Sequence, residues 1–334
     1  MNLTFSKILE AIDEIGWQKH RYDLIHNAKN YKARLDRVKK VSFLRGCLSE
    51  KPTIIVSAGP SLVKERTLEE LLLHDRDSFN LVCIDASLIK LLKNGVIPDY
   101  CVVLDPHPTR MLRWFGDPNF SEHMQDDDYF SRQDLDAEFR NTSLEVNREN
   151  IEIVNKFGPS ISLIFSACLA SSLYDRLRKI KFKDYYGFTP LVDDPDHQKS
   201  LTRQLHQITE LNCLNTGGNV GCCAWVFSEF IGLSKKIGAI GFDYSYYKGT
   251  PFQETQTYTE LLTLCKPSEI DQFFIHSKSR DGREFFQDPT FYWYCDNFLS
   301  LLANSPNPLY NLSNAGLLYG NNIIEETISD FLDG

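Results

Sequence analysis

The chain predicts an α/β fold built on a doubly wound, mostly parallel sheet, with an N-terminal helical arm and a helical C-terminal region. Three observations carry that prediction. Short β-branched, apolar runs alternate with amphipathic stretches between Thr53 and Asp105 and again between Ser160 and Asp243, the pattern of parallel strands joined by right-handed helical crossovers. The first run ends in Ser57-Ala-Gly-Pro-Ser61, a turn of small residues that leads toward a helix. The composition, 42% hydrophobic and 24% charged over 334 residues, is that of a globular chain long enough for one large domain or two modest ones.

Residues 1–50 read as a helical arm with Leu9, Ile12, Ile15 and Trp17 at the apolar positions, its Lys and Arg residues between Lys29 and Lys40 forming a solvated face. Thr53–Val56 is uniformly β-branched and reads as a buried strand. Thr67 and Glu70 have capping-box spacing, which predicts a helix over Thr67–His74. A strand over Leu81–Ile84 ends at Asp85; a helix over Ala86–Lys93 closes at Asn94-Gly95; a strand over Tyr100–Leu104 ends at Asp105. The polar and aromatic stretch 107–150, with its run Asp126-Asp127-Asp128, reads as a partly helical, mobile insertion. The alternation resumes with a strand at Ile161–Phe165, a helix at Cys168–Leu177 and a short strand near Phe182–Tyr186. After the turn Asn215-Thr-Gly-Gly-Asn219 come a helix over Val220–Ile231 and a strand over Ile237–Ile240. Residues 251–334 are aromatic-rich and predict helices packed on the 51–250 domain, the last over Ile323–Leu332. No internal repeat or low-complexity tract interrupts the pattern.

A formal net charge of −9 argues against a broad nucleic-acid-binding face but leaves room for a local nucleotide pocket. Nine cysteines, with no Cys-x-x-Cys pair and with Cys222 and Cys223 adjacent, read as reduced and mostly buried thiols of a cytoplasmic protein. The first residues do not resemble a signal peptide, and the longest apolar run, Ile161 to Tyr174, is too short and polar to span a bilayer.

In an open parallel sheet the ligand sits at the carboxyl ends of the strands. The Ser57, Gly59, Pro60, Ser61 turn, Asp85, Asp105 and Asp243 with Tyr244 fall there, as does the second small-residue turn of Thr216, Gly217, Gly218 and Asn219. Any one aspartate at such a place is commonly a helix cap; a set at successive strand ends points to a nucleotide site. Asp105-Pro-His107-Pro holds an acid and an imidazole in a stiff loop, which makes Asp105 and His107 the catalytic candidates. Arg110, and equally Arg113, are the candidates for a phosphate contact. Asp193-Asp-Pro-Asp-His197 has oxygen ligands for a divalent ion but reads more simply as a solvated acidic loop. There is no Ser-His-Asp order and no His-Glu-x-x-His site.

Ile55-Val-Ser-Ala-Gly-Pro-Ser-Leu62 resembles the amino-terminal signature of the motility-associated-factor (Maf) glycosyltransferases and of the MptE-like 6-hydroxymethylpterin diphosphokinases, and the Gly-Pro-Ser-Leu turn of small α/β bacterial sialyltransferases. The similarity continues at Asn94–Pro106, Tyr186–Pro195, Thr216–Gly218, Gly241–Ser245 and Asn311–Gly320. It implies a Rossmann-like domain in which Gly59, Pro60, Ser61, Thr216, Gly217 and Gly218 hold a CMP-like moiety. It implies transfer of a sialic- or pseudaminic-type sugar from a CMP donor to a glycan, lipid-linked or protein acceptor, in cell-surface or flagellar glycan modification. The diphosphokinase relatives move pyrophosphate from ATP to a pterin alcohol with Mg²⁺ and carry Asp-x-Asp-Gly after the third strand. This chain has Leu104-Asp-Pro-His107 there, which is nearer the Maf pattern. The alternatives are therefore that Mg²⁺-dependent phosphotransfer, or a nucleotide-binding module without catalysis.

Overall fold

A computed structural model describes residues 23–31, 33–35, 37–120, 122–123, 144–262 and 264–334. The strands are β1 (Lys39–Lys40), β2 (Thr53–Val56), β3 (Asn80–Ile84), β4 (Tyr100–Val103), β5 (Ser162–Ser166), β6 (Asp184–Leu191), β7 (Cys213–Asn215), β8 (Ile237–Ile240), β9 (Tyr246–Tyr247), β10 (Ile275–Lys278), β11 (Glu284–Gln287), β12 (Leu309–Asn311) and β13 (Ile323–Glu325). Ten of them form one parallel sheet in the order β1-β6-β5-β4-β3-β2-β8-β12-β13, with β7 also paired to β6. The other three form a small antiparallel sheet, β10-β11-β9.

The large sheet is covered on both faces, and the strand sequences require it. In β2 to β5 every interior residue is apolar, so successive side chains, pointing to opposite faces, each need a core. Ile54, Val56, Leu81, Cys83, Leu163 and Phe165 enter one cluster. Ile55, Val82, Ile84, Val102 and Ile164 enter the other. The crossover helices supply the cover: Asp85–Lys93, Leu144–Phe157 and Ser171–Ile180 on the first face, Val220–Val226 and Pro289–Leu302 on the second. The first of these ends as the sequence predicts, at Asn94 with Gly95 at φ +78°.

Of the N-terminal arm, residues 23–31 are helical and seat Leu24 and Ala28 against Cys168, Leu201 and Leu205. Leu9, Ile12, Ile15 and Trp17 lie outside the described residues, as does much of the 107–150 stretch. The part of that stretch that is described contains a 3-10 turn, Arg110–Phe115, and the start of helix Leu144–Phe157.

Four expectations are corrected. The Thr67–Glu70 capping box is not formed, and the helix covers only Thr67–Leu71. Its N-cap is Arg66 at φ +59°, because the chain reverses sharply after the short helix Ser61–Lys64. Thr67 is buried, and the Glu70 carboxylate instead accepts the Ile328 N–H of the C-terminal helix at 3.1 Å. The region after residue 251 is not simply helical: β12 and β13 extend the main sheet, and β10 and β11 build the small one. The expected helix over Ile323–Leu332 is strand β13 followed by helix Ile328–Asp333, which Thr327 caps. Strands of three residues are too short to leave a period of two in the sequence. Lastly, Val220–Ile231 starts as an α-helix but widens to a π-turn over Phe227–Ile231. Among the described residues no helix is long and apolar enough to cross a membrane.

Candidate functional site

The chain lays down β2 through β6 in one direction, then returns to the far side of β2 with β8, β12 and β13. The order therefore reverses between β2 and β8, the switch point where open α/β sheets leave a crevice. Both flanking loops are small-residue turns, and they are tied to each other. Ser57 N–H donates to the Ile240 carbonyl at 2.8 Å and Gly59 N–H to the Gly241 carbonyl at 2.9 Å. A Cβ on Gly59 would overlap the Gly241 carbonyl and stand 2.7 Å from Asp243 Cγ, so this glycine is required by loop-on-loop packing. Gly241 takes φ +74° to turn the chain away from the sheet.

Asp243 fastens the two loops. Its Oδ2 accepts the Ser61 N–H at 2.7 Å and its Oδ1 the Ser61 hydroxyl at 2.5 Å. The start of helix Ser61–Lys64, where a doubly wound fold commonly takes a phosphate, is thus filled by the chain's own carboxylate. Burial pushes the Asp243 carboxyl up to about 6, against the lowering effect of the two Ser61 bonds. Ser61 is fully buried beneath the turn and is not part of the cavity wall.

A cavity of about 510 Å³ opens at this point. Ser57, Gly59 and Pro60 form one side of it, and Asp243 and Tyr244 the adjoining side. Thr216, Gly218 and Asn219 approach from the turn after β7, where Gly217 and Gly218 have φ +55° and +84°. Gly217 packs on Cys222 rather than on the cavity. Asn219 caps its own helix, its Oδ1 accepting the Cys222 N–H at 2.8 Å. Asp85 and Asp105, from the ends of β3 and β4, complete the floor. Of the sequence candidates the fold therefore brings ten onto one wall.

Asp85 is the most constrained of these. It is 2% exposed and opens helix Asp85–Lys93. Its Oδ1 accepts the Ala86 N–H at 2.7 Å, while its buried Oδ2 has no hydrogen-bond partner. Burial, seconded by the Asp105 charge and opposed by Arg113, pushes its carboxyl up to about 8, so the acid is neutral at pH 7.

The catalytic candidates separate. Asp105 is half-buried on the wall, and its Oδ1 accepts the His107 N–H at 2.8 Å. His107 lies off the wall, with the Thr109 N–H donating to its Nδ1 at 3.3 Å. The Arg110 side chain lies outside the described residues. Arg113 is buried with its guanidinium 4.2 Å from the Trp114 ring centre. The acidic loop is a cap: the Asp193 carboxylate accepts Leu201 N–H, Thr202 N–H and the Ser200 hydroxyl at 2.6, 2.9 and 2.7 Å.

Sequence reading missed Trp114, Gln256, Phe291 and Tyr294, which also line the cavity. Phe291 and Tyr294 stand three apart in the first turns of helix Pro289–Leu302, a spacing that puts them on one face. Asp288 anchors that helix start, accepting the Phe291 N–H at 2.7 Å and the Tyr246 hydroxyl at 2.8 Å. Nothing local marks Gln256. Among the described residues there is no group of three or more His, Cys, Asp or Glu side chains that could hold a metal ion.

Residues 22–122, which contain the first turn, Asp85 and Asp105, match the family model for 6-hydroxymethylpterin diphosphokinase MptE-like proteins. No curated protein matches the chain. The solved structure of a MAf glycosyltransferase from Magnetospirillum magneticum AMB-1 shares the fold, with TM-score 0.52 and 15% sequence identity over 92% of this chain. The alignment spans only 38% of that larger protein. The chain thus resembles the Maf/MptE-like superfamily on two counts, by its family-model match over the first βαβ units and by the doubly wound fold of nearly its whole length.

Proposed function

We propose that the chain is a glycosyltransferase-like enzyme whose cavity takes a CMP-activated sugar of the nonulosonate type and passes the sugar to a hydroxyl acceptor. The single observation that carries this choice is the character of the wall. It bears the carboxyls of Asp85, Asp105 and Asp243, and among its described residues there is no Lys or Arg. The helix starts beside it are already capped, by Asp243, by Asp85 itself and by Asn219. Such a wall offers no cation to balance a triphosphate, and a donor with one phosphodiester suits it better. The aromatic side made by Trp114, Phe291 and Tyr294 offers stacking faces for a base.

In this reading Asp105 is the base that takes the acceptor hydroxyl's proton. The acceptor oxygen then attacks the anomeric carbon, and the sugar–phosphate bond breaks with its electron pair leaving on CMP. His107 acts on the loop, through its N–H to Asp105. Calorimetric titration with CMP, ATP and GTP tests the reading; CMP is expected to bind, and ATP binding in its absence overturns it. The family-model match favours one second reading, pyrophosphate transfer from ATP to a pterin alcohol. AMP release that depends on added 6-hydroxymethylpterin would establish that activity instead.

A further inference from the structure

We propose that Trp293 is an acceptor platform, an aromatic face at the rim of the cavity that takes a neutral pyranose of a glycan acceptor. The inference rests on the transferase reading above and adds to it the chemical class of the acceptor.

Trp293 belongs to the rim and not to the wall. Phe291 and Tyr294 of the same helix line the cavity, and Trp293 does not. It nevertheless touches the wall at two places. Its ring centre lies 5.5 Å from that of Tyr294, at an interplanar angle of 49°. Its six-membered ring lies on Gly218, where a Cβ would stand 2.5 Å from Cζ3 and 2.8 Å from Cη2. Gly218 has φ +84°, which favours glycine, and the bare residue leaves the room that the indole fills. Asp288 holds the helix start from which Trp293 projects, accepting the Phe291 N–H at 2.7 Å. The indole is thus held in place while 37% exposed, whereas the other described tryptophans, Trp114 and Trp225, are 6% and 1% exposed. A donor seated in the cavity leaves Trp293 uncovered. A molecule that reaches the cavity from outside covers it, and in the transferase reading that molecule is the acceptor.

The surroundings of the ring select the class. Thr290, Asp296 and Asn297 stand three before, three after and four after Trp293 on helix Pro289–Leu302, which makes them its neighbours on the helix surface. A pyranose has an apolar C–H face that packs on the π face of an indole. It also has a rim of hydroxyls, which a carboxylate, an amide and a threonine hydroxyl can bond. A lipid chain or an apolar peptide segment needs a wider apolar strip, and no other exposed large apolar side chain belongs to this helix. The helix carries no Lys or Arg, and Asp296 adds a negative charge, so the sugar is neutral rather than acidic.

The test is calorimetry with saturation-transfer NMR on the full chain. The probes are lactose, cellobiose and maltose as neutral sugars, sialyllactose as an acidic one, and an Ala-Ser-Ala tripeptide as a peptide acceptor. The expected result is that at least one neutral disaccharide binds wild type and that Trp293→Ala weakens it at least tenfold, about 1.4 kcal/mol. Trp293→Phe, which keeps an aromatic face, should lose less; thermal unfolding verifies that both variants are folded. Failure of every neutral disaccharide to bind wild type, unchanged binding in Trp293→Ala, or tripeptide binding that Trp293→Ala abolishes overturns the platform. A CMP titration of wild type keeps the two readings apart. CMP binding without neutral-sugar binding overturns the platform alone, and sugar binding lost in Trp293→Ala without CMP binding overturns the donor alone.

Discussion

Replacing Asp85 by asparagine should make the protein more stable, by an amount that depends on pH in a defined direction. The unfolded chain ionises this carboxyl near its ordinary value of 3.8, whereas the folded chain holds it at about 8. Between those values the unfolded state releases a proton that the folded state keeps, so stability is lost as pH rises and the loss levels off above about 8. Each pH unit in the window is worth about 1.4 kcal/mol. That sets a ceiling of roughly 6 kcal/mol over the whole window, and local relaxation and water entry reduce the real figure to about 2–3 kcal/mol. Asparagine has no proton to lose, and its Oδ1 still caps Ala86. Urea unfolding of wild type and Asp85→Asn at pH 4, 6 and 8 isolates the effect, because Asp243, which titrates in the same range, cancels in the difference. The advantage of the variant should be near zero at pH 4 and largest at pH 8. A difference that stays flat with pH, or a wild type that is the more stable at pH 8, refutes the assignment of a neutral buried Asp85.

Ser61→Ala removes the hydroxyl that donates to Asp243 at 2.5 Å and should cost about 1–3 kcal/mol. Because Asp243 is a carboxyl already raised by burial, the loss should be greater at pH 8 than at pH 5, measured by denaturant titration at both. Gly59→Ala forces a methyl into the Gly241–Asp243 loop and should destabilise by about 1–3 kcal/mol, read as a fall in Tm. Gly218→Ala combines φ +84° with a Cβ 2.5 Å from the Trp293 ring; it should cost about 1–2 kcal/mol and shift tryptophan emission. Of the nine free thiols, Cys47 and Cys213 are the exposed ones, so a native-state thiol titration should register these two first and the buried ones only on unfolding.

The sequence by itself placed β2, β3, β4, β5 and β8 and the first part of β6, but not β7. The interiors of runs such as Thr53–Val56 and Ser162–Ser166 are apolar, and Gly or Asp residues punctuate the ends of β2, β3, β4 and β8. Strand ends are local signals, which is why Ser57–Pro60, Asp85, Asp105, Thr216 and Asp243 could be named as a set before any fold was in hand. Their roles were not local. Ser61 and Asp243 lie 182 positions apart, and only the return of β8 beside β2 turns a candidate phosphate turn into a carboxylate-filled lock. The tertiary structure alone moved His107 off the wall and brought Gln256, Phe291 and Tyr294 onto it. It also made strands of Leu309–Asn311, which pairs on the edge that β8 offers, and of Ile323–Glu325, which pairs on Leu309–Asn311 in turn. Strand ends are written in neighbouring residues, but which of them face one cavity, and which oxygen there is left without a donor, follows from contacts between distant parts of the chain.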